Sequence, residues 1–349
     1  MSTGHSPTLL AEPLVLKLKT PFRIAHGTST ERRNILVRLG DSLGEGALPP
    51  YYDVDMDQVM AYFDDLDVGA LLGDETAALE DRLDRMPPGP APARAALDIA
   101  LHDYWGRSLG LPLYQLWGLN PARAPVSSIT ISIPETLQAL SAQVKAYSSY
   151  PVLKLKLGTG DLDRDEAIVR TAFACTKSRL CVDANSAWPI REAFDMILRL
   201  VPYNLLFIEQ PLPADDPDDW HRLARLLPEE GPPLIADESI QTADDILGLA
   251  GAADGVNIKL TKAGGLRPAR HMIALARALD MQVMLGCMVE SAVALTAAAH
   301  LAPLVDYADL DGILLVADTP FTGMTLDNGR IVLPDAPGLG VRPITPPNA

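Results

Sequence analysis

The sequence predicts an α/β fold, a (β/α)8 barrel of modified TIM type preceded by a smaller α+β domain. Eight short apolar runs recur from about residue 126 onward: VSSITISI, PVLKLKL, RLCVDA, NLLFIEQ, PLIADES, GVNIKL, MQVMLGC and YADLDGILL. They begin 22 to 29 residues apart, the length of a strand, a helix and two loops. Between them REAFDMILRLV, DDWHRLARLL, ADDILGLA, RPARHMIALARAL and SAVALTAAAHLA carry the three-and-four apolar spacing of amphipathic helices. A doubly wound open sheet is the alternative, but no G-x-G-x-x-G phosphate loop occurs in the chain to support it.

The elements follow in chain order. PLVLKLKTPF and RRNILVRLG read as paired strands, followed by helices around DQVMAYFDDL and ARAALDIALHDYWGRSLG; together they make an α+β domain over residues 1–122. The barrel occupies residues 123–318. The remaining segment, 319–349, is rich in Pro and Gly, as in DAPGLGVRPITPPNA, and is expected to lie against the first domain.

Composition narrows the function. The chain has 349 residues, a net charge of −16 and no long uninterrupted apolar stretch, so a membrane helix is not expected. The acidic balance opposes nucleic acid and anionic membranes as partners, and a small-molecule substrate is expected instead. MSTGHSPTLLAEPLVLKLKTPF lacks the basic-then-apolar order of a secretory leader, which predicts a cytoplasmic protein. Cys175, Cys181 and Cys287 show no C-x-x-C spacing and are expected to be buried, reduced thiols.

The chemistry gathers where a barrel of this type places its active site, at the C-terminal strand ends. In PVLKLKLGTG, Lys154 and Lys156 alternate with leucines and therefore share one face. Taken alone they read as a solvated edge, but their neighbours change that. The next runs end in VDAN, IEQP, ADES and NIKLTK, supplying Asp183 and Asn185, Glu209, Asp237 and Glu238, and Lys259. Three carboxylates on adjacent strands call for a divalent ion, and all-oxygen ligation suits Mg²⁺, with Mn²⁺ as its substitute, better than zinc. Lys156 and Lys259 stand on opposite sides of the ring. Desolvation and nearby cations are expected to push such lysines down toward neutrality, where they can act as bases.

KLKLG, VDANSAW, IEQPL, ADES, NIKLTKAGG and GCMVES, at these spacings, resemble the enolase superfamily, specifically its muconate lactonizing enzyme subgroup. ALDIALHDYWGRSLGLPLYQLWG resembles the helix joining cap and barrel, and the likeness runs from about Leu10 to Val341. It implies that the first domain caps the barrel, completed by the C-terminal segment. It further implies that Asp183, Glu209 and Asp237 bind Mg²⁺, and that Lys156 and Lys259 act on the α-carbon beside a substrate carboxylate through an enediolate. Lys154 would support that carboxylate, Thr130 and Met288 would contact substrate, and Asn185, Glu238 and Glu290 would back the metal ligands. The mandelate racemase branch uses a His–Asp pair where this chain has Lys259 and GCMVES.

Within the subgroup, Asp309 and Asp311 in ADLDGIL resemble the D-x-D of dipeptide epimerases, which receives a dipeptide's α-ammonium group. The resemblance implies an isomerase that epimerises dipeptides, assembled as a homo-oligomer. The alternatives are an N-acylamino acid racemase, an o-succinylbenzoate synthase or a muconate cycloisomerase, and, in another class, a barrel serving only as a binding module. Specificity is expected from loops near residues 23–34 and 46–58. Gly27 stands where a glutamate-gripping arginine is expected, leaving Arg23, Arg32 or Arg33 to replace it. Asp53, Asp55 and Asp57 either draw a cationic side chain or serve a helix N-terminus, and Phe22, Tyr51 and Tyr52 suit an apolar one. The preferred dipeptide stays open.

Overall fold

Residues 32–39 of the chain alternate between two apolar environments, and that alternation joins the two domains. In the computed structural model, which describes residues 7–25, 27–74, 77–228 and 231–344, β1 (Leu9–Ile24), β2 (Gly27–Leu39) and β3 (Ser42–Ala47) form an antiparallel sheet. Ile35, Val37 and Leu39 pack with Val59, Phe63 and Leu97 of the cap helices. The opposite face, Arg32, Asn34 and Leu36, turns toward the barrel. β3 lies directly on the helix Ala91–Leu109: a Cβ at Gly44 would sit 1.8 Å from the Ala96 carbonyl oxygen, so only glycine allows this approach.

Two expectations change here. Residues 23–34 form not a loop but mostly the outer end of the β1–β2 hairpin, whose register shifts between Lys17 and Phe22. The 46–58 loop begins later than expected, because Ser42–Ala47 is a third strand. His26 of the first segment, residues 1–6 of the N-terminal stretch and the end of the tail (345–349) lie outside the described residues.

The barrel follows the expected period. Eight parallel strands run in sequence order: β4 (Ile129–Ile131), β5 (Val152–Lys156), β6 (Arg179–Asp183), β7 (Ile208–Glu209), β8 (Leu234–Ala236), β9 (Gly255–Ile258), β10 (Gln282–Gly286) and β11 (Tyr307–Asp309). A parallel bridge between Ser127 and Ala308 brings the first and last together. Helices including Ile190–Leu200, Pro217–Leu226 and Leu266–Ala278 match the amphipathic segments. Inside the barrel, Cys181, Phe207, Ile235 and Met284 form an apolar layer, the packed interior that this fold requires. Cys181 is buried as expected, whereas Cys175 and Cys287 are only partly so. Among the described residues no helix is long and apolar enough to cross a membrane.

The chain beyond the barrel makes small sheets, β12 (Phe321–Thr322) with β15 (Arg342–Pro343) and β13 (Thr325–Asp327) with β14 (Arg330–Val332). Three buried acids of the cap tie everything together. Glu45 of β3 accepts from Ser291 N (2.9 Å), Ser291 Oγ (2.6 Å), Ala294 N and Asn34 Nδ2, so a cap carboxylate closes the N-terminus of the barrel helix Ala292–Ala299. Asp98 accepts from Leu266 N at the start of another barrel helix. Asp103 accepts from Leu43 N and Leu339 N, holding the tail to the cap helix.

Glu45→Ala is expected to cost about 1–3 kcal/mol, since it strands buried donors on both domains; Glu45→Gln should cost less. Chemical denaturation of the two variants checks this, and an undiminished midpoint in Glu45→Ala would show that the contact does not hold the domains.

Candidate functional site

Residues two apart on a strand share a face, and this rule builds the site one layer above the apolar plug. Cys181, Phe207 and Ile235 of the plug are followed on the same strand faces by Asp183, Glu209 and Asp237. On β5 the leucines Leu153, Leu155 and Leu157 join the helix-packed core, which leaves Lys154 and Lys156 pointing into the barrel rather than into water. The apolar side of this strand therefore faces outward, opposite to a solvated edge.

The three acids each offer an oxygen within 4.8 Å of the others. Lys156 Nζ is 2.6 Å from Asp183 Oδ2 on one side, and Lys259 Nζ is 2.6 Å from Asp237 Oδ2 on the other. The two lysines extend from β5 and the end of β9, with β6, β7 and β8 between them. Lys154, only 1% exposed, touches Asp309 (2.8 Å), Glu209 (2.6 Å) and Asp183 (3.1 Å). Three protein carboxylates surround its ammonium group.

Electrostatics follow from this packing. Burial opposes charge on Lys154 and Lys259, but the carboxylates outweigh it: Asp309, Glu209 and Asp183 hold Lys154, and Asp237 and Glu209 hold Lys259, above the ordinary lysine range. The nearest charges to Lys259 are anions, which favour its ammonium form. Burial notwithstanding, Lys156 and Lys154 pull Asp183 down to about 2, and Lys259 and Lys262 hold Asp237 below the carboxylate range. Burial and the charge of Asp183 push Glu209 up to about 8.

Asp309 ends β11, while Asp311 lies beyond the strand at the start of the helix Gly312–Leu315. The pair converges through this turn rather than through strand alternation, and both meet Thr130 of β4. Thr130 N donates to Asp311 Oδ2 at 2.6 Å, and Ser128 Oγ donates to Asp309 Oδ1 at 2.6 Å. Burial and the neighbouring Asp309 push Asp311 up to about 7, against the donation from Thr130.

Lys154, Lys156, Lys259, Thr130, Met288, Asn185, Asp309 and Asp311 line one cavity of about 50 Å³, closed by Phe22, Arg32, Asn34 and Tyr51 of the cap. Asn185 Nδ2 donates to Glu238 Oε1 at 3.0 Å, and Asn185 N donates to Asp183. Glu290 is buried near the cap acid Glu45, and burial together with that charge pushes it up to about 8. It lies past the end of β10, where Asn34 of the cap donates to Val289 O and Glu45 accepts from Ser291 N.

Four supporting residues were missed. Asn257 Nδ2 donates to Glu209 Oε1 at 2.8 Å; it precedes Lys259 by two, so strand alternation could have found it. A Cβ at Gly286 would meet the Asn257 amide at 2.5 Å, which explains glycine in GCMVES. Lys262 Nζ bonds Asp237, reached by one helical turn after the strand, a change of period that alternation does not follow. Gln210 Oε1 accepts from Asp237 N, and Asn34 comes from the cap, far away in sequence.

The donor set fits a hard divalent cation: three clustered carboxylates, all oxygen, one of them oriented by Asn257.

Residues 9–118 match the Mandelate racemase / muconate lactonizing enzyme N-terminal domain, and residues 136–345 the Enolase C-terminal domain-like family. The chain is 38% identical over 341 residues to the L-Ala-D/L-Glu epimerase of Bacteroides thetaiotaomicron, covering 95% of this chain and 87% of the relative. It superposes with a TM-score of 0.88 at 28% identity on the substrate-liganded L-Ala-D/L-Glu epimerase of Bacillus subtilis, covering 96% of this chain and 98% of that one. For the Cytophaga hutchinsonii dipeptide epimerase complexed with Mg and D-Ala-L-Val, the TM-score is 0.86 at 27% identity, covering 97% and 96%. With both of its domains matched, the chain belongs to the mandelate racemase / muconate lactonizing enzyme family of the enolase superfamily.

Proposed function

We propose that this chain epimerises dipeptides by proton transfer at the α-carbon beside the carboxylate. The observation that carries the reading is the placement of Lys156 and Lys259 on opposite sides of a three-carboxylate cluster, each bonded to a different member. Asp309, Asp311 and Thr130 form a third wall of the same cavity. The dipeptide-bound relatives support the substrate class.

In this reading Asp183, Glu209 and Asp237 hold Mg²⁺, which supplies Lewis-acid stabilisation of the charge that develops on the substrate carboxylate. Asp311, which makes no ion pair among the described residues and accepts from Thr130 N, and Asp309 receive the α-ammonium group and fix the peptide. That contact places the second residue's α-carbon between the lysines. One lysine, neutral, takes the α-proton, and the electron pair moves into the carboxylate to give an enediolate. The other lysine, charged, returns a proton to the opposite face. Lys154 keeps Asp183, Glu209 and Asp309 in place, and Asn257 and Asn185 orient the carboxylates.

N-acylated or dicarboxylate substrates would bring no ammonium group to Asp311, leaving a buried acid facing an uncharged or repelling ligand. Asp311→Asn is therefore expected to lower kcat/KM for free dipeptides about 10- to 100-fold more than for their N-acetyl analogues. An equal loss on both would remove the ammonium site from the account.

Mg²⁺ at about 100 times its Kd should stabilise the wild-type fold by about 2.7 kcal/mol, and Glu209→Gln should abolish most of that thermal shift. An undiminished shift would place the ion elsewhere. The reading itself is tested by mass spectrometry of L,L-dipeptides incubated with the protein and Mg²⁺ in D₂O. Deuterium should enter the α-carbon of the C-terminal residue in a subset of them. No exchange in any dipeptide, with exchange in N-acylamino acids, would move the chain to the racemase alternative.

A further inference from the structure

Asn34 of β2 is fully buried and lines the catalytic cavity. Its amide nitrogen is spent twice: Nδ2 donates to Glu45 Oε1 at 2.7 Å and to the Val289 carbonyl oxygen at 3.1 Å. Both partners are acceptors, for Glu45 also takes donors from Ser291 and Ala294. Turning the amide over would set oxygen against oxygen, so its two ends are fixed. The other end, Oδ1, is buried and has no hydrogen-bond partner among the described residues. A buried acceptor without a donor is unfavourable until something completes it, and here the donor has to come from what enters the cavity.

The neighbours of Asn34 locate that donor. Gly312, next to Asp311, lies so close to the chain leaving β10 that a Cβ on it would sit 2.6 Å from the Met288 carbonyl oxygen and 3.2 Å from Cys287 Sγ. Val289, one residue on, carries the carbonyl that Asn34 grips. Asp311, Gly312, Met288 and Asn34 thus follow one another along a single wall of the cavity.

On the dipeptide reading above, on which this inference rests, the ammonium group lies at Asp309 and Asp311 and the reacting α-carbon lies between Lys156 and Lys259. The peptide bond spans the interval between them, and its N–H is the one backbone donor that reading leaves unplaced. The ammonium group already has two carboxylates. Asn185, whose Oδ1 is likewise unpartnered, is tied to Asp183 and Glu238; it stands at the end of the substrate that carries a carboxylate, which has no proton to donate.

We propose that Asn34 Oδ1 accepts the peptide N–H of the substrate, so that the site requires a secondary amide. Two classes of analogue are then excluded. In esters an oxygen replaces the N–H and turns its lone pairs toward Oδ1. N-alkylated peptides, among them every dipeptide that ends in proline, have no hydrogen at that nitrogen.

The test takes the dipeptide that exchanges fastest in D₂O and its depsipeptide, with an ester oxygen in place of the peptide N–H. Their kcat/KM values are compared in wild type, Asn34→Leu and Glu45→Gln. The wild type should favour the amide by about 100-fold, and Asn34→Leu should reduce that ratio by about tenfold or more, as expected when a buried polar group that reads the substrate is removed. Glu45→Gln weakens the same seam without removing Oδ1 and should keep the wild-type ratio. A folding defect lowers both substrates together and leaves the ratio intact, and the wild-type comparison needs no variant to fold. A wild type that turns over the depsipeptide or a proline-ending dipeptide as fast as the parent, or an unchanged ratio in Asn34→Leu, overturns the inference and leaves the dipeptide reading standing. No exchange with any dipeptide overturns both.

Discussion

Four ammonium groups and four carboxylates share the buried mouth of the barrel, and the rest of the site depends on their mutual neutralisation. Lys154, Lys156, Lys259 and Lys262 are interleaved with Asp183, Glu209, Asp237 and Asp309. Removing any one ion from water carries a penalty of several kcal/mol, and losing one partner of such a pair costs about 3–5 kcal/mol. The cluster is tolerable only because each charge has an opposite at hydrogen-bond distance. Its members are therefore not independent: Lys154 touches two of the clustered acids and also Asp309, so the metal-type cluster and the ammonium-type wall are one electrostatic unit.

The cap completes this unit from above. Glu45 and Asp98, both acids of the first domain, close the N-termini of barrel helices, which fixes where β2 lies over the strand ends. The same strand then presents Arg32 and Asn34 to the cavity. Cap packing and the cavity wall are thus carried by opposite faces of a few neighbouring residues: Ile35 and Val37 look into the cap core, while Asn34 and Arg32 line the cavity. A shift of one residue in the β2 register would exchange the two sets.

Much of this was legible in the chain. The strand-and-helix period located all eight barrel strands, and the polar residues ending KLKL, VDAN, IEQ, ADES and NIKL converge on one charged cluster, because inward-facing strand ends in a barrel have nowhere else to go. Period-two reading also contains Asn257, two before Lys259, although it was passed over. What the sequence hid has identifiable causes. Lys262 reaches Asp237 by a helical turn, not a strand step. Glu45 and Asn34 act across more than two hundred residues of separation, a relation no local pattern encodes. Asp311 resembles a strand residue by spacing yet sits in a turn, and the direction of the lysine shifts depends on which charge lies nearest, which spacing does not reveal.

The account stands or falls on one lysine serving each face of the α-carbon. Its most direct test is to follow deuterium uptake from D₂O in each dipeptide stereoisomer separately, using Lys156→Ala and Lys259→Ala with Mg²⁺. Each variant should lose epimerisation while retaining exchange in only one of the two epimers, and the surviving epimer should differ between the variants. Full epimerisation by either variant, or survival of the same epimer in both, would contradict a two-lysine mechanism.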